Sequence, residues 1–101
     1  PSFVNLGHTF LKLGRLDKAR KTYEAILLRQ PNISVVHKNL GFIYYQMKEN
    51  PGKAVYHFQE YLRFSPNQSD ASQIKSMIQS IESGVESWSI AKIPDVLNMA
   101  N

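Results

Sequence analysis

Three histidines, His8, His37 and His57, are the side chains in this sequence best suited to metal binding or acid–base chemistry. A helical metal site needs ligands at steps of three or four residues, completed by further histidine, carboxylate or cysteine ligands. No two of these histidines share such a step, and the chain has no cysteine. We therefore expect no metal and no cofactor, and we interpret His37 as a partly buried packing residue.

Catalytic motifs are also missing from the sequence. It contains no nucleophile elbow, no phosphate-binding loop and no paired carboxylates at a spacing suited to acid–base catalysis. The eight acidic residues are few and scattered along the 101 residues. The sequence therefore predicts a protein that is not an enzyme.

The charge is basic and unevenly distributed. The formal net charge is +4, and residues 1–66 carry ten Lys and Arg against four acidic residues, which leaves residues 67–101 at −2. A basic body favours an acidic partner, although weakly. Five cations lie close together and could contact nucleic acid, but no aromatic stacking platform accompanies them, so we interpret them as a solvated helix face. These cations are Lys12, Arg15, Lys18, Arg20 and Lys21.

Helices must position all of these side chains. Apolar residues recur at steps of three and four, as in Phe3, Leu6, Phe10 and Leu13, which is the period of an amphipathic helix. Gly14 and the Pro residues at 31, 51 and 66 supply the breaks. The pattern predicts five helices, at about 2–13, 17–29, 34–47, 52–64 and 69–83. No apolar run approaches the ~18–20 residues that cross a bilayer, so we expect no membrane association.

One pattern of residues occurs twice. The first copy contains Phe3, Leu6, Gly7, Phe10, Ala19, Tyr23 and Pro31, and the second contains His37, Leu40, Gly41, Tyr44, Ala54, Phe58 and Pro66. The second copy has one extra residue in its central turn, at Glu49-Asn50-Pro51-Gly52, where an insertion leaves the packing faces in phase. Such self-similarity identifies a repeat protein.

Both copies resemble the tetratricopeptide repeat, in which an aromatic residue, Leu-Gly and a second aromatic are followed by Ala, a third aromatic and Pro. Only His37 departs from this pattern, at the first aromatic position. The resemblance implies an all-α fold, an α-solenoid of antiparallel helix pairs in a right-handed superhelix. We expect a repeat domain over 1–84, with repeat 1 at 1–33, repeat 2 at 34–68 and a capping helix at 69–84 that is polar on its outer face.

The resemblance also implies that the first helix of each repeat lines a concave groove for a peptide. In this groove we expect amides to bond the peptide backbone, Phe42 and Tyr45 to act as apolar anchors, and Lys12 and Lys38 to favour an acidic ligand. The residues carried over to these positions are Asn5, His8, Lys12, Lys38, Asn39, Phe42, Tyr45 and Gln46. Alternatively, Phe42 and Leu11 only pack neighbouring first helices together.

A subset of the family binds a C-terminal carboxylate through Lys, Asn and Arg residues in this groove. The corresponding positions here hold Val4, His8, Asn39, Asp70 and Ile74, and only Asn39 matches. We therefore do not expect this mode of binding. The predicted function is a protein–protein interaction scaffold that binds a peptide segment of a partner.

Residues 85–101 form an apolar tail outside the repeat pattern, with Trp88, Ile93 and Leu97 among its members. Two repeats and a cap are fewer than the ~3 repeats that usually bury a continuous core. The alternative prediction is therefore a self-association module that forms homo-oligomers, with this tail docked in its own or a neighbour's groove. Because the chain begins at Pro1 without an initiator Met, we expect it to be a fragment of a longer protein. The capping helix predicts that it comes from the C-terminal end of a repeat array, and we expect a cytoplasmic location.

Overall fold

A computed structural model describes residues 2–84, and all regular structure within that range is helical. The predictions made for the tail at 85–101 lie outside the described residues. The predicted helices are confirmed, with boundaries displaced by no more than two residues. The five helices are α1 (Phe3–Lys12), α2 (Leu16–Arg29), α3 (Ser34–Met47), α4 (Pro51–Phe64) and α5 (Ala71–Ser83).

Each helix packs mainly against its neighbours in sequence. Helix α1 pairs with α2 and α3 pairs with α4, while α2 also contacts α3 and α4 also contacts α5. Short connections make paired helices antiparallel, and the start of α1 accordingly lies beside the end of α2. This is the all-α helical repeat that the sequence predicts. The core runs through the whole stack, and its largest fully buried side chains are Tyr23, Phe58, Leu40, Ile43, Ile74, Ile81 and Val36.

Close helix approach within each pair depends on a glycine and an alanine. A Cβ built on Gly7 would stand 2.4 Å from Cε1 of Tyr23, so no side chain fits between α1 and α2 at this point. Ala19 and Ala54 are fully buried at the corresponding positions of α2 and α4. Gly7 therefore permits the close approach of α2 to α1.

Three helices differ in how their N-termini are capped. Ser34 is the first residue of α3, and the cap position is held by Ile33 without a side-chain hydrogen bond. Helix α4 begins one residue early, at Pro51, because proline suits the first helical position and Asn50 caps Lys53 N at 3.0 Å. Asp70 occupies the N-cap of α5, but its carboxylate does not cap the helix.

Candidate functional site

A groove between α1 and α3 brings together residues from both repeats. It has a volume of about 360 Å³ and is lined by His8, Leu11, Lys12, Val35, Lys38 and Asn39. Because α1 and α3 are the first helices of successive repeats, their equivalent faces lie side by side. Four of the eight residues expected in a concave groove therefore meet there: His8, Lys12, Lys38 and Asn39.

Tyr23 of α2 supports two of these groove residues from below. Asn39 donates from Nδ2 to the Tyr23 hydroxyl at 3.1 Å, and the His8 ring meets the Tyr23 ring edge-on at a centroid distance of 6.0 Å. Burial raises the pKa of Tyr23, so the phenol stays neutral and can accept this hydrogen bond. Tyr23 also lies against Gly7. The same ring therefore packs α1 against α2 and contacts two side chains of the groove.

Asp70 fixes the position of Lys38. Lys38 Nζ donates to Asp70 Oδ2 at 3.0 Å, and the Tyr61 hydroxyl donates to Asp70 Oδ1 at 2.6 Å. The hydrogen bond from Tyr61, followed by that from Lys38, lowers the pKa of Asp70. The ammonium also lies 5.2 Å from the centroid of the Tyr61 ring. Lys38 is therefore a positioned cation that is already partly neutralised by this carboxylate.

Lys12 contributes an uncompensated charge to the groove. Its side chain is exposed in the last turn of α1, and no ion pair to it occurs among residues 2–84. A cation held in water close to an apolar floor can attract an anionic group with little loss of solvation. The floor here is supplied by Leu11 and Val35. The groove can thus accept a small apolar group beside an anion.

Comparison with known proteins agrees with the pairing of helices and with the repeat pattern. The family model described as tetratricopeptide repeat matches residues 1–33. The chain belongs to the tetratricopeptide repeat family. No solved structure matches it significantly.

Three curated relatives contain a segment similar to this tetratricopeptide repeat chain. The Arabidopsis thaliana protein named cell division cycle protein 27 homolog A is 42% identical over 72 residues, which is 71% of this chain and 10% of that protein. The anaphase-promoting complex subunit CDC16 of Saccharomyces cerevisiae is 34% identical over 70% of this chain and 8% of its own length. The anaphase-promoting complex subunit cut9 of Schizosaccharomyces pombe is 36% identical over 72% of this chain and 11% of its own length. The chain therefore spans about a tenth of the length of these relatives.

The other four residues predicted for the tetratricopeptide groove do not line it. Asn5 and Gln46 are exposed elsewhere on α1 and α3. Phe42 is half-buried and meets Phe58 of α4 edge-on, with ring centroids 5.2 Å apart, so it packs against the second helix of its own repeat. Tyr45 is only 8% exposed. Helix α3 is flanked by both α2 and α4, which leaves less of its surface open than the repeat pattern suggests.

The histidines are arranged differently from what their spacing suggests. His37 and His57 are 20 residues apart, yet their Nδ1 atoms lie 2.9 Å from each other between α3 and α4. Sequence spacing within one helix could not reveal a contact across two helices. His37 is buried, as expected for a packing residue. Among residues 2–84, no three His, Cys, Asp or Glu side chains lie close enough to hold a metal ion.

The basic cluster is partly neutralised within α2. Arg20 pairs with Asp17 and with Glu24, the latter at 3.5 Å, and Lys21 also reaches Asp17 at 3.5 Å. Two of these pairs, Arg20 with Glu24 and Lys21 with Asp17, join residues four apart, which are neighbours on a helix surface. The arrangement fits a solvated helix face. In the part of the chain that the structure describes, no helix is long and apolar enough to cross a membrane.

The open side of repeat 1 exposes an unusual amount of apolar surface. Phe3 is 70% exposed, Leu6 41% and Leu13 63%, although Leu40, the counterpart of Leu6 in repeat 2, is fully buried. A second groove, of about 700 Å³, runs between the start of α1 and the end of α2. Its lining includes Phe3, Leu6 and Ile26, with Lys21 and Arg29 as its only charged members. Large exposed apolar patches are typical of interaction surfaces.

Proposed function

We propose that this tetratricopeptide repeat domain is a protein–protein interaction module that binds a partner's peptide segment in the groove between α1 and α3. The observation that carries this proposal is the convergence of His8, Lys12, Lys38 and Asn39, from two repeats, on one cleft. Side chains outside the cleft hold three of them, because Tyr23 contacts His8 and Asn39 while Asp70 binds Lys38. A site that is oriented before binding loses less conformational entropy when the partner docks.

The bound segment, on this proposal, is extended and carries a carboxylate close to a small apolar side chain. The exposed Lys12 attracts the carboxylate, and Leu11 and Val35 contact the apolar group. Lys38 attracts the carboxylate less strongly than Lys12 does, because Lys38 already forms an ion pair with Asp70. Recognition of the partner therefore depends on one carboxylate of the bound segment, opposite Lys12, more than on the partner's overall negative charge.

We further propose that the full-length protein is a subunit of a large assembly. Two of the relatives are named as subunits of the anaphase-promoting complex, and the similar segment is a small part of each. In such an assembly the repeats would contact other subunits, and catalysis would lie elsewhere. Because the chain covers about a tenth of those relatives, the assembly is inferred from similarity over this segment alone.

Charge reversal in the groove tests the proposed function. The full-length protein would be purified from its source cells with its partners as wild type, as Lys12→Glu and as Lys75→Glu, and the co-purifying proteins quantified by mass spectrometry. Lys75 is an exposed cation of α5, so its reversal changes the net charge equally without touching the groove. We expect Lys12→Glu alone to reduce one group of partners at least tenfold. Equal recovery from all three proteins would refute the groove as the binding site.

Asn39 and Tyr45 are poor choices for this experiment. Asn39→Ala would remove the amide that donates to the Tyr23 hydroxyl, and Tyr45→Ala would open a cavity in the core. Both changes would reduce binding by destabilising the fold. Lys12 is exposed and unpaired among the described residues, so circular dichroism should show the Lys12→Glu domain as folded. Its stability should fall by no more than about 1 kcal/mol, because the new acid lies in the last turn of α1.

The open side of repeat 1 favours a second candidate function, self-association. The exposed Phe3 and Leu6 would be covered if two chains met through this face. Light scattering on the chain with and without residues 85–101, and on Leu6→Gln, tests this function. Self-association through the face predicts a dimer that Leu6→Gln disrupts, and tail exchange predicts a dimer that the truncation abolishes. A monomer in all three samples contradicts both forms of the proposal.

A further inference from the structure

A buried pair of histidines joins the two helices of repeat 2. His37 of α3 is 3% exposed and His57 of α4 is 8% exposed, and their Nδ1 atoms lie 2.9 Å apart. His37 stands where repeat 1 has Phe3, and His57 directly precedes Phe58, which packs on Gly41. Two titratable groups thus occupy part of the interface that holds this helix pair together.

The hydrogen bonds fix which nitrogen of each ring carries a proton. His37 Nε2 lies 2.7 Å from the carbonyl oxygen of Pro31, which can only accept, so His37 must carry its proton on Nε2. In the neutral ring the Nδ1 of His37 is then an acceptor. His57 must therefore donate from Nδ1, because the contact between the two Nδ1 atoms needs one proton.

An added proton on this pair is penalised in two steps. The first keeps the contact between the two Nδ1 atoms, whichever ring carries the charge, but places that charge in a buried site. The second sets two N–H groups against each other at 2.9 Å, so the rings must separate. The folded repeat therefore disfavours a doubly protonated pair, whereas in the unfolded chain both imidazoles are hydrated.

The side chains around the pair are mostly aromatic. The rings of Tyr44 from α3 and of Tyr56 and Phe64 from α4 contact the pair. Lys53 of α4 opposes the charge and Glu60 of α4 favours it, while Pro31 contributes its carbonyl from the loop before α3. Burial, followed by His37 and Lys53, lowers the pKa of His57 to about 4.

We propose that the His37–His57 pair is an acid-sensitive link that holds α3 against α4 at neutral pH and opens the second repeat when both rings are protonated. The sign follows from proton binding, because stability decreases as pH decreases wherever the unfolded chain binds more protons than the folded chain. His57 contributes stability above the ordinary histidine pKa near 6.5, and this contribution is lost as pH falls toward about 4. Since α3 carries Lys38 and Asn39, opening it would also dismantle the α1–α3 groove.

Denaturant unfolding of the 101-residue chain between pH 5.0 and 6.5 tests the link, because most carboxylates remain ionised in this window. We expect the unfolding equilibrium constant of the wild type to rise about tenfold for each pH unit lost. His57→Gln, whose amide can still donate to His37, should flatten this dependence, whereas His8→Gln removes a histidine outside the pair and should keep it. A wild type and His57→Gln with equal pH dependence would overturn the proposal.

Nuclear magnetic resonance gives a second test that needs no variant. Long-range ¹⁵N–¹H correlation spectra of the wild-type rings at pH 7.5 should show the Nε2–H tautomer for His37 and the Nδ1–H tautomer for His57. On acidification, the two rings should change together with the loss of dispersed α3 and α4 amide signals. Two histidines in the same tautomer, or two rings that titrate while those amides stay dispersed, would contradict the link.

Discussion

Gly41 lies beneath the ring of Phe58 so closely that a Cβ on the glycine would stand 2.6 Å from the ring carbons Cδ1 and Cε1. The same relationship joins Gly7 and Tyr23 in repeat 1. In both repeats an aromatic ring of the second helix thus fills the space that a side chain on the first helix would need. This contact sets the distance between paired helices. That distance in turn helps to determine where α1 and α3 lie on either side of the groove.

Gly41→Ala should therefore destabilise the domain. The added methyl group meets a ring that is fully buried and cannot move aside, so α3 and α4 must separate. We expect a loss of about 1–3 kcal/mol in the free energy of unfolding, despite the better helix propensity of alanine. Urea unfolding followed by circular dichroism would measure it.

Gly52→Ala is the matched control for that substitution. Gly52 lies in the first turn of α4, and a Cβ there would meet only the Asn50 side-chain oxygen at 3.4 Å. We expect a small gain of about 0.5 kcal/mol from reduced freedom of the unfolded chain. If both glycine substitutions changed stability by the same amount, close approach at Gly41 would not be the cause.

Lys48→Gly should stabilise the domain. Lys48 ends α3 in the left-handed region, with φ 59°, where repeat 1 has Gly14 at φ 75°. A residue with a Cβ is disfavoured there by about 1 kcal/mol relative to glycine, partly offset by the greater freedom of glycine when unfolded. We expect the thermal midpoint to rise by a few degrees. The reverse exchange, Gly14→Lys, should lower it, and a fall for both variants would contradict this account.

Tyr61→Phe should weaken the attachment of α5. The Tyr61 hydroxyl donates to Asp70, and its loss should cost about 1 kcal/mol in the free energy of unfolding. Because this bond is the largest cause of the lowered pKa of Asp70, the pKa should move back up toward its ordinary value. A titration of the Asp70 carboxyl carbon by nuclear magnetic resonance would show the change.

The sign of the associated pH effect follows from the direction of that shift. A carboxyl whose pKa is lowered on folding contributes stability above its unfolded pKa near 3.9, and this contribution is lost as pH falls through the folded value. Tyr61→Phe should therefore reduce the acid dependence below pH 4. Tyr56→Phe, at a tyrosine that is 52% exposed, is the control and should leave the Asp70 titration unchanged.

Asn50→Ala should cost about 1 kcal/mol, because the Asn50 side chain accepts from Lys53 N at 3.0 Å and caps α4. The N-cap of α2, Arg15, makes no side-chain hydrogen bond, so Arg15→Ala should change stability little. Chemical denaturation of both variants would compare them. Equal losses would show that the cap hydrogen bond does not account for the effect.

The order of residues specifies the helices and their pairing. Apolar spacing located all five helices, and the Leu-Gly and Ala positions lie where paired helices approach. These features depend on periodicity along a helix, which the order of residues records directly. The four groove residues His8, Lys12, Lys38 and Asn39 were selected in another way, through the resemblance to the tetratricopeptide repeat.

Which side chains of α3 remain available depends on how the helices pack together. Tyr45 is only 8% exposed, and the Asp70 carboxylate binds Tyr61 and Lys38 of other helices and does not cap α5. The contact between His37 and His57 likewise joins residues 20 positions apart. Such contacts depend on how helices cross in space, and no periodicity along one helix encodes that crossing.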